Sequence, residues 1–303
     1  MNTKHAQYML TVLQEGSITA AARKLYISQP SLSQMIRLVE KQLGAPIFNR
    51  NTDPISLTYA GQKYMDAARQ VLAINRNLAR EIEELNQEEQ GTIRLGIPVQ
   101  RAMQLLPYVL PKFKTRYPYV DIDLQEHGSA VTETLLLEGG VDLACLTTYP
   151  RNRELTYILI EKEELVLLTS RDSRIAKRIP SGTPIDILEA RDETFICSKP
   201  GHSVRATQDA LFASRNMHPR ILMETISIEV GKRSAIACDA VMICPINYVE
   251  MSPELYPRCS IYPITGIENP RSLYICHRKD LYLTRYMKEF IDILQAVEMP
   301  YLH

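Results

Sequence analysis

Tryptophan is absent from this 303-residue chain, and so are the patterns that most often settle a protein's chemistry at once. No run approaches the ~18 consecutive apolar residues that a membrane span needs. Residues 1–14 lack the uninterrupted apolar core of a secretory signal. The expectation is a cytoplasmic protein with no membrane partner. There is no glycine-rich phosphate loop, no G-x-S-x-G and no H-E-x-x-H, which removes the usual signatures of nucleotide-driven, serine-nucleophile and zinc-hydrolase chemistry. The six cysteines, Cys145, Cys197, Cys238, Cys244, Cys259 and Cys276, form no C-x-x-C pair. In a reducing compartment they are expected to be mostly small buried apolar groups. Cys276 and His277 are adjacent in a predicted strand and point to opposite faces, so a shared metal is not expected. Neither a metal nor a cofactor is implied. A net charge is missing too: 35 Lys and Arg balance 35 Asp and Glu, which argues against indiscriminate binding to nucleic acid.

What is present is ordinary in bulk and uneven in detail. With 45% hydrophobic and 23% charged residues, this is a globular composition, and the length implies two or three domains. Residues 1–60 carry six basic against three acidic side chains. Residues 61–90 carry four against six, and the remainder 25 against 26. The positive excess therefore sits at the N-terminus. It is modest, so tight DNA binding calls for two or more copies of that segment.

Residues 17–61 explain the excess. Ser17 can cap a short helix running through Ala20, Ala21, Ala22 and Leu25, and Ser28 can cap a second, with Pro30 in its first turn where a missing N–H costs nothing. In the second helix Leu32, Ile36, Val39 and Leu43 form one apolar stripe. Its other face keeps Gln29, Ser33, Gln34, Arg37 and Lys41 for bases or phosphates. Gly44 ends the helix. Ile47 and Phe48 read as a short strand, residues 50–54 as a polar turn, and Ile55 and Leu57 as a returning strand, before Thr58 caps a further helix. Two helices joined by a tight break and followed by a small hairpin describe a winged helix-turn-helix.

At these residues the chain resembles the LysR-type transcriptional regulators. The resemblance rests on Gly16-Ser17, Ala20-Ala21-Ala22, Ile27-Ser28-Gln29-Pro30-Ser31-Leu32-Ser33, then Ile36, Glu40, Leu43-Gly44, Phe48, Arg50, Leu57-Thr58 and Ala60-Gly61, unbroken over about 45 residues. It implies a DNA-binding set of Ser17, Thr19, Ser28, Gln29, Pro30, Ser31, Ser33, Gln34, Arg37, Lys41, Arg50 and Thr58. The family's wing often carries a second basic residue where Asp53 stands here, and a carboxylate there repels phosphate. The resemblance also implies double-stranded promoter DNA as partner, a homodimer that assembles into a tetramer, a small-molecule effector, and RNA polymerase as a candidate contact.

From residue 58 to 89 there is no proline, and no glycine after Gly61. Val71, Ile74, Leu78, Ile82 and Leu85 step by three and four. That narrow seam suits a partner helix, over a length of about 45 Å at 1.5 Å per residue. In the resembled family this segment makes the dimer.

Beyond Gly91 the rhythm becomes strand–helix–strand. Strands are expected at residues 92–98, 120–126 and 142–147, with helices at 105–117, irregular at its start because of Pro107 and Pro111, and at 131–138. A strand at 165–170 leads into a second set: strands at 194–198, 221–224 and 241–244, helices at 204–216 and 227–237. A strand at 273–277 and a helix at 283–297 close the chain. The fold class is α/β: two parallel-sheet lobes like those of periplasmic binding proteins, behind the winged helix-turn-helix and linker helix. The expected domains are residues 1–60 for DNA binding, 61–90 for the linker, and 91–303 for effector binding, with lobe one at 91–162 plus 267–303 and lobe two at 163–266. Where the family often has a glycine pair before a strand, this chain has Ala237-Cys238-Asp239-Ala240.

Ligands of open α/β folds sit beyond the carboxyl ends of parallel strands, where helix N-termini offer free N–H groups. That rule selects Val99, Gln100, Arg101, Ser129, Thr147, Thr148, His202, Ser203 and Ser227. The three serines are also candidate helix caps. Arg101, Lys199 and His202 can counter an anion, so a polar or anionic effector is expected. The rival readings are an α/β enzyme and a solute-binding module fused to a DNA-binding domain. Neither an enzyme motif nor a signal peptide supports them, and an enzyme leaves residues 1–60 unexplained.

Overall fold

The structure is a computed structural model describing residues 2–85, 90–267 and 271–297. The chain divides into two compact units, Met1–Glu88 and Glu89–His303.

The first unit opens with α1 (Thr3–Glu15), α2 (Ile18–Lys24) and α3 (Gln29–Leu43). Asn2, Ser17 and Ser28 cap the three, each accepting a backbone N–H of the first turn. Gly16 and Gly44 close α1 and α3 with φ of +64° and +74°. In α3 Leu32, Ile36 and Val39 are buried against Ala6, Met9 and Ala21. Leu43, expected in the same stripe, is 44% exposed instead, because the chain turns away at Gly44 before the core reaches that far. The wing is β1 (Phe48–Asn49) antiparallel to β2 (Ser56–Leu57). Thr58 follows, its Oγ1 accepting the Gly61 N–H at 2.9 Å, and begins α4 (Tyr59–Leu85). Gly61 packs so closely that an added Cβ would lie 2.0 Å from the Ile47 carbonyl oxygen. Only glycine fits there.

The second unit holds two five-stranded sheets. The first uses β3 (Gln90–Gly96), β4 (Tyr119–Gln125), β5 (Leu143–Thr148), β6 (Leu155–Lys162) and, from the C-terminal segment, β12 (Ser272–Arg278), in the order β4-β3-β5-β12-β6. The second uses β7 (Leu165–Ser170), β8 (Thr194–Ser198), β9 (Arg220–Thr225), β10 (Val241–Pro245) and β11 (Cys259–Pro263), in the order β11-β7-β10-β8-β9. Neither sheet is wholly parallel. β12 runs antiparallel to β5 and β6, and β7 antiparallel to β10 and β11. The parallel expectation holds for β3, β4 and β5 and for β8, β9 and β10. The antiparallel strands are those through which the chain passes between the sheets.

Helices α5 (Val99–Arg116), α6 (Ser129–Leu137) and α11 (Arg285–Gln295) cover the first sheet. α7 (Arg174–Arg178), α8 (Ser203–Ser214), α9 (Ile228–Ala237) and α10 (Ile246–Glu250) belong to the second. α5 starts six residues before its expected position and is unbroken. Pro107 and Pro111 are four apart on its exposed side, so the carbonyls they leave without an N–H face water. Phe113 and Phe290 meet edge to face, 5.1 Å apart, in the core between α5 and α11. Where a glycine pair is missing, Asp239 itself takes the left-handed conformation (φ +50°), and Ala240 N–H donates to the Ala235 carbonyl. No described helix is long and apolar enough to cross a membrane, and no group of three or more His, Cys, Asp or Glu among the described residues is placed to hold a metal.

Candidate DNA interface and ligand cleft

In the first unit α3 turns Gln29, Pro30, Ser31, Gln34, Arg37 and Lys41 to the surface. Gln29 Nε2 donates to Ser33 Oγ at 2.9 Å, which ties the first turn of α3 to the next, with Ser33 itself half-buried. Thr19 is exposed on α2. Several expected contact residues have structural work. Ser17 and Ser28 spend their hydroxyl acceptors on helix caps, and Thr58 Oγ1 donates to the Pro46 carbonyl at 2.6 Å. Arg50 does not stand as a free cation: its Nη2 lies 2.8 Å from Glu40 Oε2. Glu40 Oε1 meanwhile accepts the Ile47 N–H at 2.9 Å, so one carboxylate ties the wing to α3. Residue-type rules missed this role of Glu40 and missed Tyr26, which is 95% exposed in the turn before α3 with φ +54°.

In the second unit a cavity of about 410 Å³ lies between the two sheets. Eight of the nine expected ligand residues line it: Val99, Gln100, Arg101, Ser129, Thr147, His202, Ser203 and Ser227. Thr148 faces an adjoining chamber of about 360 Å³ instead, which shares Ser129, Thr147, His202 and Ser203 with the first. Lys199 lines neither. The strand-end rule works because α5, α6, α8 and α9 all begin at this crevice, following β3, β4, β8 and β9.

Local roles differ from expectation in three places. Val99, Gln100 and Arg101 form the first turn of α5 rather than the end of a strand. Ser129 and Ser203 are first helical residues, and Gly128 and His202 hold the capping positions without a side-chain bond. Ser129 Oγ accepts the Thr147 N–H at 3.4 Å, a weak tie between α6 and β5. Ser227 alone of the three serines caps its helix, accepting Val230 N–H at 3.3 Å. Arg101, expected to counter an anion, is already engaged within the protein. It is fully buried, its Nη1 donating to Gln104 Oε1 at 2.6 Å, its Nη2 to Glu163, and its guanidinium lying 4.9 Å over the Tyr248 ring.

Glu163 and Arg271 were invisible to the strand-end rule, since both lie on the segments crossing between sheets. Glu163 gives one oxygen to Arg101 and the other to Arg271, and its backbone N–H donates to the Arg271 carbonyl at 3.1 Å. Glu161, two residues earlier, accepts from Asn247 Nδ2 at 3.0 Å. The charged residues clustered at the two crossings were the available signal. Burial pulls the Arg271 pKa down to about 10 and raises that of the Tyr248 phenol. Arg271 therefore remains a cation at neutral pH.

Known proteins share this plan. The family described as the LysR substrate binding domain matches residues 86–298, and the bacterial regulatory helix-turn-helix of the lysR family matches residues 3–62. The HTH-type transcriptional regulator BsdA of Bacillus subtilis (strain 168) is 25% identical over 298 residues, covering 97% of this chain and all of that protein. Full-length OxyR from Pseudomonas aeruginosa superposes with a TM-score of 0.73 at 19% identity, over 98% of this chain and 99% of that one. Full-length CbnR in complex with its target DNA gives 0.61 at 20% identity, over 97% and 99%. With both of its parts matched, a helix-turn-helix at the start and an effector-binding domain over most of the remainder, the chain belongs to the LysR family of DNA-binding transcriptional regulators, which are not enzymes.

Proposed function

We propose that this regulator binds its promoter in the cytoplasm as a homodimer joined through α4, or as a homotetramer built from two such dimers, and that a small polar or anionic molecule between the two sheets sets its action on transcription. RNA polymerase is then the natural further contact at the promoter. In α3, Gln29, Gln34 and Arg37 read bases and neighbouring phosphates, and Lys41 holds phosphate. In α4, Val71, Ile74, Leu78, Ile82 and Leu85 meet a partner helix; the side chain of Leu85 lies outside the described residues. The domain limits that go with this reading are 1–60, 61–90 and 91–303. The observation that carries the ligand reading is the convergence of four helix N-termini on one 410 Å³ cavity. A thermal-shift screen of metabolites on the full-length chain, followed by promoter mobility shift with each hit, tests it. A stabilising metabolite that alters promoter binding is the expected result. Promoter binding indifferent to every stabilising metabolite would remove the regulatory role of the cleft.

A further inference from the structure

We infer that the neck shared by the two chambers is a carboxylate site anchored by Arg271, and that the ligand is a monocarboxylate whose apolar body fills the inner chamber. The inference rests on reading the cleft as this regulator's ligand site and gives that ligand its chemistry.

Arg271 is only 4% exposed and lines both chambers. Its Nη2 donates to Glu163, while Nε and Nη1 have no hydrogen-bond partner among the described residues. A buried guanidinium with donors to spare is an incomplete site, because buried N–H groups are almost always paired. Glu163 cannot complete it, since its second oxygen is held by Arg101. Around the same neck, α6 and α8 begin without side-chain caps, at Gly128 and His202. Both leave backbone N–H donors and a positive dipole end open to an oxyanion. Ser129 and Ser203, the first residues of these helices, line both chambers beside Arg271. An arginine and two helix ends thus converge on one acceptor.

The walls decide what accompanies that acceptor. The inner chamber is bounded by Val99, Val204, Ile226, Ile228 and Tyr248. The outer chamber carries two ion pairs in its lining, Arg151 with Glu133 and Arg205 with Asp209, beside Leu146 and Tyr149. With no ion pair but Glu163's own among its walls, the inner chamber is the better host for an apolar body. A single negative charge suits the site better than a phosphate dianion, because Glu163 already offsets part of the local positive charge and Glu126 also lines the inner chamber.

Calorimetric titration of the full-length chain at neutral pH tests this with hexanoate, hexanamide, acetate and inorganic phosphate. Hexanoate should bind at least tenfold more tightly than hexanamide or acetate, and more tightly than phosphate. In Arg271→Gln, checked for a native melting transition, the preference for acid over amide should vanish. The wild-type comparison stands even if that variant does not fold. Equal affinity for acid and amide, no hexanoate binding, or tighter binding of phosphate would each overturn the carboxylate site. The two readings fail separately. Arg271-dependent hexanoate binding that leaves promoter affinity unmoved supports the carboxylate site and sinks the regulatory reading. Promoter affinity that responds only to uncharged metabolites does the reverse.

Discussion

Glu40 shows how one side chain can fix the geometry of the wing against α3. It holds the wing by the Ile47 N–H and by Arg50, so Arg50 must leave a carboxylate before it can serve a phosphate fully. Arg37 is exposed and makes no ion pair among the described residues. Fluorescence anisotropy against salt should therefore show Arg37→Ala reducing the slope of log K by about 0.9, the value for one lost phosphate contact, and Arg50→Ala reducing it by less. Equal reductions would mean that the Glu40 pair opens freely on DNA. Gln29→Ala or Gln34→Ala should instead cost roughly 1–3 kcal/mol at one base pair, if either pairs bidentately with adenine. Selection of operator variants that came out identical to wild type would displace the reading face from α3. Thiol chemistry gives an independent check of the packing. Cys238 is exposed and the other five cysteines are buried, with burial pushing Cys145 and Cys244 up to about 12 and Cys197 up to about 11. At pH 8 these thiols stay neutral and shielded. Titration with a disulfide reagent should find one fast thiol in the native chain and five more on unfolding.

At the scale of elements, most of the helices and strands were legible because each carries its own pattern. The stripe Leu32, Ile36, Val39 defines α3, and the run from Leu165 to Ser170, buried throughout, defines β7. What the pattern could not supply was context. The start of α5 was hidden because Pro107 and Pro111 look like breaks, and only the packed structure shows them on the solvent side. Strands β6 and β11 carry no pattern of their own that marks them; β6 has only Leu155 buried and pairs at an edge. The antiparallel placement of β12 depends on residues more than a hundred positions away. The same limit applies to the cleft. Strand ends could be picked out one by one, but the Arg101–Glu163–Arg271 cluster joins segments that only the sheet topology brings together. For α4 the pattern and the structure raise one question in common. Ile74, Leu78 and Ile82 are 67%, 54% and 49% exposed, a row of apolar side chains of the kind a partner helix would cover. Leu78→Asp or Ile82→Asp should shift the assembly toward monomer in analytical ultracentrifugation, because each sets a charge in an apolar seam. An unchanged sedimentation profile would place the dimer contact elsewhere.

For the whole molecule, the question is how a ligand between two sheets can alter what happens on DNA. The sheets are joined by two crossing segments, and these are tied to one another by the Glu163 N–H to Arg271 carbonyl bond and by the shared Glu163 carboxylate. Asn247 and Glu161 add a bond between α10 and β6. If these crossings act as a hinge that lets the cleft walls approach, a ligand touching both walls favours the closed arrangement by its differential affinity for it. Transmission would require a stiff element, and α4 within its own unit runs 27 residues with no proline and with its only glycine in the first turn, about 40 Å of helix at 1.5 Å per residue. If closure and operator binding are coupled, the coupling is reciprocal, so operator DNA must change ligand affinity by the same factor by which ligand changes operator affinity. Calorimetric titration of a ligand from the metabolite screen, with and without operator, measures one factor, and anisotropy of operator with and without ligand measures the other. The two should agree, and typical couplings of 1–3 kcal/mol correspond to roughly 5–150-fold. In Ser129→Ala, which removes a hydroxyl from the neck while leaving the α6 backbone donors in place, ligand affinity should fall and the coupling factor should persist. Equal ligand affinities with and without operator would show that the cleft and the DNA-binding unit act independently, and undiminished affinity in Ser129→Ala would reduce that serine to a weak tie between α6 and β5.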